Sequence, residues 1–235
     1  MSVEIALMLA LLAGISIPAG AFASTLPELE EFCRRKEIDS FISYFGGGAL
    51  MATLSLVLIP RGTQDATVPL AAFAFALGGL LFWRISSWTK RARTSASHLI
   101  GMVLNFVPEV ILLGVAAATE PNVGYLLAAL IALQNMPEGF AARQEMQASG
   151  LSRRLLWLMF ILVPLLAPFV AAAGFIWMAG SELILPFILL FCSGVILYLV
   201  FEDIAPGAHL TRTSFPATGA VMGFLLGMVG TMLIH

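Results

Sequence analysis

Two glutamates lie inside long apolar stretches of the chain, and each follows the same short pattern. The first pattern is Asn105-Phe106-Val107-Pro108-Glu109, and the second, 29 residues later, is Gln134-Asn135-Met136-Pro137-Glu138. On a helix, the amide and the carboxylate of each pattern are four residues apart and share one face. Each proline removes a backbone hydrogen bond and frees a carbonyl oxygen one turn earlier. Two carboxylates, two amides and two free carbonyls at similar depth would suit a divalent cation.

The same residues also have a structural interpretation. Amides and carboxylic acids hydrogen-bond across membrane helices and could hold two proline-kinked helices together. A charged group facing lipid is costly, however, and glutamates inside apolar helices usually mark a polar pathway. Because the spacing occurs twice, in consecutive apolar stretches, we favour the pathway over the purely structural role.

Other residues limit the kinds of reaction and metal site that the chain could support. Glu202 and Asp203 close a later apolar stretch and could be ligands, a gate, or simply the polar end of a helix. HExxH and phosphate-loop motifs are absent, so we expect neither a metalloprotease nor an ATP-driven machine, and no enzyme. Cys33 and Cys192 are far apart and belong to no CxxC pair, which argues against a cysteine zinc site.

The composition requires a membrane setting for these residues. The chain has 235 residues, of which 60% are hydrophobic and 11% are charged, whereas soluble domains have about 25% charged residues. This excludes a soluble enzyme, and the lack of a basic stripe argues against a nucleic-acid partner. A spanning helix needs about 20 apolar residues. Continuous apolar runs and the breakers between them predict an all-α membrane protein, a single transmembrane domain of eight helices at about 3–24, 40–60, 67–87, 97–119, 124–146, 154–179, 183–205 and 216–234.

Basic residues predict the orientation of these helices. With eight spans, eleven of the twelve Lys and Arg residues fall on one side, and Arg61 alone falls on the other. The basic side is cytoplasmic by the positive-inside rule, so both termini are expected outside. Residues 1–23 could instead be a cleaved signal peptide, but Glu4 and the missing basic residues near the start favour a retained helix.

At these motifs the sequence resembles the ZIP family of divalent-metal transporters, and more closely its prokaryotic branch. The family's fifth-helix motif is close to Leu-Gln-Asn-Ile-Pro-Glu-Gly, and residues 133–139 match it almost fully. The fourth-helix motif, His-Asn-x-Pro-Glu-Gly, keeps its proline and glutamate at Pro108 and Glu109 but has Asn105 in place of histidine. The seventh-helix motif, His-Glu-x-x-Pro, is replaced by an acidic pair with the same spacing before Pro206.

The resemblance implies a set of site residues. The transport site would use Asn105, Glu109, Gln134 and Glu138 as metal ligands. A second, adjacent site would use Asn135 and Glu138, but its other two positions are Phe106 and Ala167, which cannot bind a metal, so we expect it to be lost. Accessory or gating roles are assigned to Asn135, Glu202, Asp203, Met51 and Asp39, and Leu50 aligns with the second-helix methionine better than Met51 does.

The resemblance also implies a function. The chain is expected to move a divalent metal cation toward the cytoplasm by an elevator-type mechanism, as a homodimer in the lipid of a prokaryotic inner membrane and without an organic cofactor. Zinc is the family default, but a site of carboxylates and amides without imidazole or thiolate makes manganese or ferrous iron credible. The alternatives are a non-transporting ZIP-like sensor or scaffold, motivated by the lost ligands, and a proton-coupled carrier of an organic solute, which would need a more aromatic pocket.

Overall fold

A computed structural model describes residues 1–29, 36–92, 95–148, 150–178, 184–204 and 214–234, and in this part of the chain all regular structure is helical. Eight main helices run through it. They are α1 Val3–Ala23, α2 Lys36–Ala52 with its continuation to Gln64, α3 Val68–Ala92, α4 Ser95–Thr119, α5 Pro121–Ala148, α6 Arg153–Ala173, α7 Ile184–Leu199 and α8 Ala217–Ile234.

Three of these helices pass into a π-helical turn. In α2 the turn is Thr53–Leu58, and the helix then continues as Ile59–Gln64; in α6 and α7 the turns are Gly174–Met178 and Val200–Ile204. The predicted end of the second helix at about residue 60 is too early, because the helix continues to Gln64. Pro60 instead lies at the start of the last segment of α2. A proline lacks an N–H donor, and the altered hydrogen bonding of a π turn accommodates it without breaking the helix.

The lengths and compositions of the helices indicate an integral membrane protein. Five described segments are long and apolar enough to cross a membrane: Val3–Ala23, Ser40–Gln64, Val68–Trp88, Arg153–Ile176 and Ile184–Glu202. Shorter apolar helices are Phe106–Thr119 and Ala217–Leu233. Large apolar side chains are exposed along whole faces of α3, α6 and α8, among them Trp83, Phe169 and Leu233. Such faces fit a lipid environment, since soluble proteins rarely expose apolar patches of this extent.

The helices pack into two groups. In the first helix group, α1 packs against α5 and α6, and α4 packs against the same two helices. In the second helix group, α2 packs against α8, α3 packs against α7, and the last segment of α2 also contacts α7. The groups meet where α2 contacts α5 and α4 contacts α7, and this boundary is called the seam below. The largest buried apolar cluster is built from the first helix group, and a second one joins α2, α4 and α7.

Glycines bring the helices within each group into backbone contact. Gly20 of α1 lies against the carbonyl of Met136 in α5, and Gly139 of α5 lies against the carbonyl of Ile17 in α1. Small residues allow helix backbones to approach this closely in membranes. The same reciprocal arrangement joins three further pairs: Gly114 and Gly174 for α4 and α6, Gly48 and Gly223 for α2 and α8, and Gly78 and Gly194 for α3 and α7.

Candidate metal site

The structure brings one residue of each repeated pattern into direct contact. Gln134 Nε2 donates a hydrogen bond to Glu109 Oε1 over 2.5 Å, and this bond joins α5 to α4. Both side chains are buried, with 5% of Glu109 and 7% of Gln134 exposed. The helices remain continuous through Pro108 and Pro137. The two patterns therefore lie side by side on neighbouring helices.

One carboxylate oxygen at this contact has no donor. Among the described residues, Glu109 Oε2 is buried and makes no hydrogen bond, and the same holds for Asn135 Nδ2. Glu138 is partly buried, and its charge lies close enough to Glu109 to act on it. A buried acceptor without a donor costs about 1–3 kcal/mol. Two neighbouring carboxylates add repulsion, so a cation or a proton would stabilise this arrangement.

A small cavity opens beside Glu109 and Gln134 at the seam. Its lining includes Leu50 and Thr53 of α2, and the remaining wall is apolar, formed by Leu112, Leu127, Leu130, Ile131 and Ile196. Thr53 is buried and starts the π turn of α2, where its hydroxyl donates to the carbonyl of Ala49 over 3.1 Å. The hydroxyl proton is used on that carbonyl, so the Thr53 oxygen can still accept or ligate. Both helix groups thus contribute polar residues to the wall of one cavity, although the surface that faces the cavity is apolar.

The positions of the expected second site are filled by apolar packing. Phe106 and Ala167 belong to the large buried cluster of the first helix group, with 3% and 0% of their surface exposed. The ring of Phe106 packs against α1, since a methyl group added to Gly14 would come within 3.1 Å of Phe106 Cζ. Asn135 is 1% exposed, and its Nδ2 atom makes no hydrogen bond among the described residues. Of the four positions of the expected second site, only Asn135 and Glu138 carry side chains that could bind an ion.

The accessory residues are spread over the molecule. Met51 lines a different cavity, with Tyr44, Val200 and Phe224 as neighbours, whereas Leu50 takes the position beside Glu109. Glu202, in the π turn of α7, accepts from the Ser86 hydroxyl of α3 over 3.3 and 3.4 Å. The side chains of Asn105, Asp39 and Asp203 lie outside the described part of the structure, although their backbones belong to α4, α2 and the π turn of α7.

Sequence reasoning missed three features, two at the edges of this site and one at the opposite end of the bundle. Thr53 was overlooked because one hydroxyl in an apolar helix is unremarkable, although it lies two turns before Arg61 on the same face. Arg61, counted only for its charge, pairs with Glu120 in the link between α4 and α5. At the opposite end of the bundle, Arg143 donates to the carbonyl of Ser24 over 2.9 Å and so caps the last turn of α1.

The donor set has a definite chemical character. Across the described residues, no group of three or more His, Cys, Asp or Glu side chains could hold a metal ion. What the structure assembles is one buried carboxylate, a second carboxylate nearby, an amide and a hydroxyl. Oxygen atoms are hard ligands, and this set carries few charges. Ligands of this kind suit a divalent cation that keeps part of its water shell.

Comparison with known proteins is consistent with a metal-transport role. The chain is 32% identical over 135 residues to a curated protein named zinc transporter GufA from Myxococcus xanthus. The aligned part makes up 56% of this chain and 52% of that protein, so the chain matches about half the length of its relative. No family model matches the chain. A zinc transporter among its homologues is what the resemblance to a divalent-metal transporter family predicts.

Proposed function

We propose that the chain is a secondary transporter that carries a divalent metal cation across the membrane toward the cytoplasm. The observation that carries this proposal is the Oε2 atom of Glu109, which is buried without a donor among the described side chains and lies beside a cavity at the seam. A dication at this point would give the oxygen a partner and offset the repulsion between Glu109 and Glu138. The similarity to a zinc transporter supports the same conclusion independently.

In this proposal the residues have distinct roles. Glu109 and Glu138 neutralise the ion, and Gln134 holds Glu109 Oε1 so that Oε2 faces the ion. The side-chain amide oxygens of Asn105 and Gln134 complete the coordination shell of the ion together with water. Asn135, Glu202, Asp203, Met51 and Asp39 stay candidates for accessory or gating positions, and the packing of Phe106 and Ala167 supports a single ion per chain.

Zinc is the proposed substrate because the similar protein is named a zinc transporter. The oxygen-only ligands among the described residues also favour manganese or ferrous iron, since zinc usually prefers imidazole or thiolate ligands. A direct comparison of these metals therefore belongs in the first experiment.

The proposed mechanism is an elevator movement of the first helix group against the second. Backbone packing within each group and side-chain packing at the seam support it. We place eight spans of a single transmembrane domain in a prokaryotic inner membrane, with both termini outside and a homodimer as the assembly. The proline kinks at Pro108 and Pro137 would help to present the site to alternate sides.

Uptake of metal into proteoliposomes tests the proposal. Zinc, manganese, ferrous iron and cadmium would be compared for the wild type, for Glu138→Ala, and for Glu28→Gln, a control at an exposed carboxylate. We expect uptake of at least one metal, loss of that uptake in Glu138→Ala, and no change in Glu28→Gln. Uptake that survives in Glu138→Ala would remove this glutamate from the site.

A non-transporting sensor or scaffold is the second candidate, and the apolar filling at Phe106 and Ala167 favours it. It predicts a folded protein that takes up none of the four metals. Calorimetry then separates a metal sensor, which still binds the ion, from a scaffold, which does not.

A further inference from the structure

A charged pair lies at one end of the seam, away from the buried glutamates. The Arg61 guanidinium of α2 pairs with the Glu120 carboxylate, which follows the last residue of α4, and about a third of each side chain is exposed (32% and 39%). Arg61 belongs to the second helix group and Glu120 to the first, so the pair crosses the seam. By the charge distribution of the sequence, this end faces the outside of the cell.

A continuous line of residues connects this pair with the candidate metal site. Below the pair lies a cavity lined by Val57, Leu112, Val123 and Leu127, together with the pair itself. Leu112 and Leu127 also line the cavity of Glu109 and Gln134, so the two cavities share a wall. Glu120 and Glu109 are eleven residues apart, which places the pair about 16 Å from the site along α4.

Each of three helices contributes one face to this line. On α4 the face runs from Glu109 through Leu112 to Thr119, and on α5 it runs from Gln134 to Val123. On α2 it runs from Thr53 to Arg61. The line, called the track below, is polar at its two ends and apolar between them. An apolar segment of this kind blocks water and ions when it is closed.

We propose that Arg61 and Glu120 form the outer, charge-selective entrance of the track, through which divalent cations reach Glu109. Paired, the two charges cancel and hold the two helix groups together at the mouth. When the pair opens, Glu120 is the first carboxylate that an arriving cation meets, and Arg61 is the charge that opposes it. The proposal rests on the transport function proposed above and adds the path and the groups that control access to it.

If this proposal is correct, removing the positive charge and removing the negative charge change KM in opposite directions. Both single variants, Arg61→Gln and Glu120→Gln, break the pair equally, but they leave charges of opposite sign at the mouth. For zinc uptake we expect Arg61→Gln to lower KM about three- to tenfold and Glu120→Gln to raise it by a similar factor. Both shifts should shrink at high ionic strength because the mouth is exposed to solvent.

Two further variants serve as controls. The exchange of both residues, Arg61→Glu with Glu120→Arg, should return KM close to the wild-type value. Asp65→Asn removes an exposed carboxylate just beyond the end of α2 and should leave KM unchanged, which separates the pair from general surface charge. If KM shifts in the same direction in both single variants, the pair only holds the helices together and the proposal is overturned. The proposal is also overturned if KM shifts in neither variant.

A measurement without transport keeps the test independent of the proposed function. Val123 is 7% exposed and lies below the pair. Val123→Cys, in a background carrying Cys33→Ser and Cys192→Ala, would be labelled from outside with a membrane-impermeant thiol reagent. Arg61→Gln should speed the labelling about two- to fivefold, the range expected when an exposed ion pair is lost. Unchanged labelling would refute the entrance, whereas failed uptake in the wild type with faster labelling would refute only the transport function.

Discussion

Replacing Glu109 by glutamine should make the metal-free protein more stable while it abolishes metal binding. In the structure, Glu109 is 95% buried and its Oε1 accepts from Gln134, while its Oε2 has no donor within the described part of the chain. An unsatisfied buried acceptor costs about 1–3 kcal/mol, and Glu138 adds repulsion. Glutamine removes the repulsion between the two carboxylates, and its Nε2, in the place of Oε2, can donate to the nearby Glu138. We therefore expect Glu109→Gln to raise the free energy of unfolding by about 1–3 kcal/mol when no metal is present.

Metal should reverse this order of stabilities. A ligand at 100 times its Kd stabilises a folded protein by about 2.7 kcal/mol. At about 2–4 °C per kcal/mol for a chain of this size, the wild type should gain roughly 5–10 °C in Tm. Glu109→Gln lacks the anionic oxygen that faces the ion and should gain almost nothing.

The assay is thermal unfolding of both proteins in the same detergent, first with a chelator and then with increasing zinc or manganese. Glu28→Gln, at an exposed position, is the matched control and should follow the wild type under both conditions. The reasoning is refuted if Glu109→Gln is less stable than the wild type in chelator. It is also refuted if the variant keeps the full rise in Tm with metal.

Three further variants test the packing and the edges of the site. Gly139→Ala pushes a methyl group into the Ile17 carbonyl and should lower the free energy of unfolding by about 1–3 kcal/mol in a thermal melt. Gly46→Ala is the control and should be tolerated, because the added methyl group would lie 3.9 Å from its nearest neighbour on another helix, the Cβ atom of Gln134. Thr53→Val keeps the shape of the cavity wall but removes its hydroxyl, and calorimetry should show metal affinity falling by about tenfold; unchanged affinity would exclude the hydroxyl from the shell. Arg143→Ala removes the donor to the carbonyl of the buried Ser24 and should lower the unfolding free energy by about 1–3 kcal/mol, and an unchanged melt would show that water replaces the cap.

Most helix positions could be predicted from the sequence because, in a membrane protein, long apolar runs form helices and the polar breaks between them form the links. The repeated spacing predicts that the two patterns lie at similar depth on consecutive helices, but the hydrogen bond between Gln134 and Glu109 was not predicted from it. The end of α2 was not predicted either, because the π turn that carries the chain past Pro60 depends on packing around it.

The rotation of α2 about its own axis was a second feature that the sequence did not predict. Leu50 and Met51 are adjacent and both apolar, so their residue types do not show which one faces the site, and only the alignment with the family motif favours Leu50. In the structure, Gly48 packs against the carbonyl of Ala220 in α8, and this close contact fixes the rotation and places Leu50 beside Glu109. The pair of Arg61 and Glu120 was hidden for a related reason, because contacts between distant segments depend on the whole bundle.

The reciprocal glycines divide the molecule mechanically. Every described glycine that meets a carbonyl of another helix does so inside one helix group, whereas Gly46 and Gly230, which face across the seam, meet the side chains of Gln134 and Leu126. Interlocked backbones resist shear, and side chains slide past each other more easily. This packing predicts that the two groups are stiff blocks and that the seam between them deforms more easily. A bilayer that is too thick or too thin for the protein would deform the seam first, so lipid chain length should change the transport rate before it changes the melting temperature.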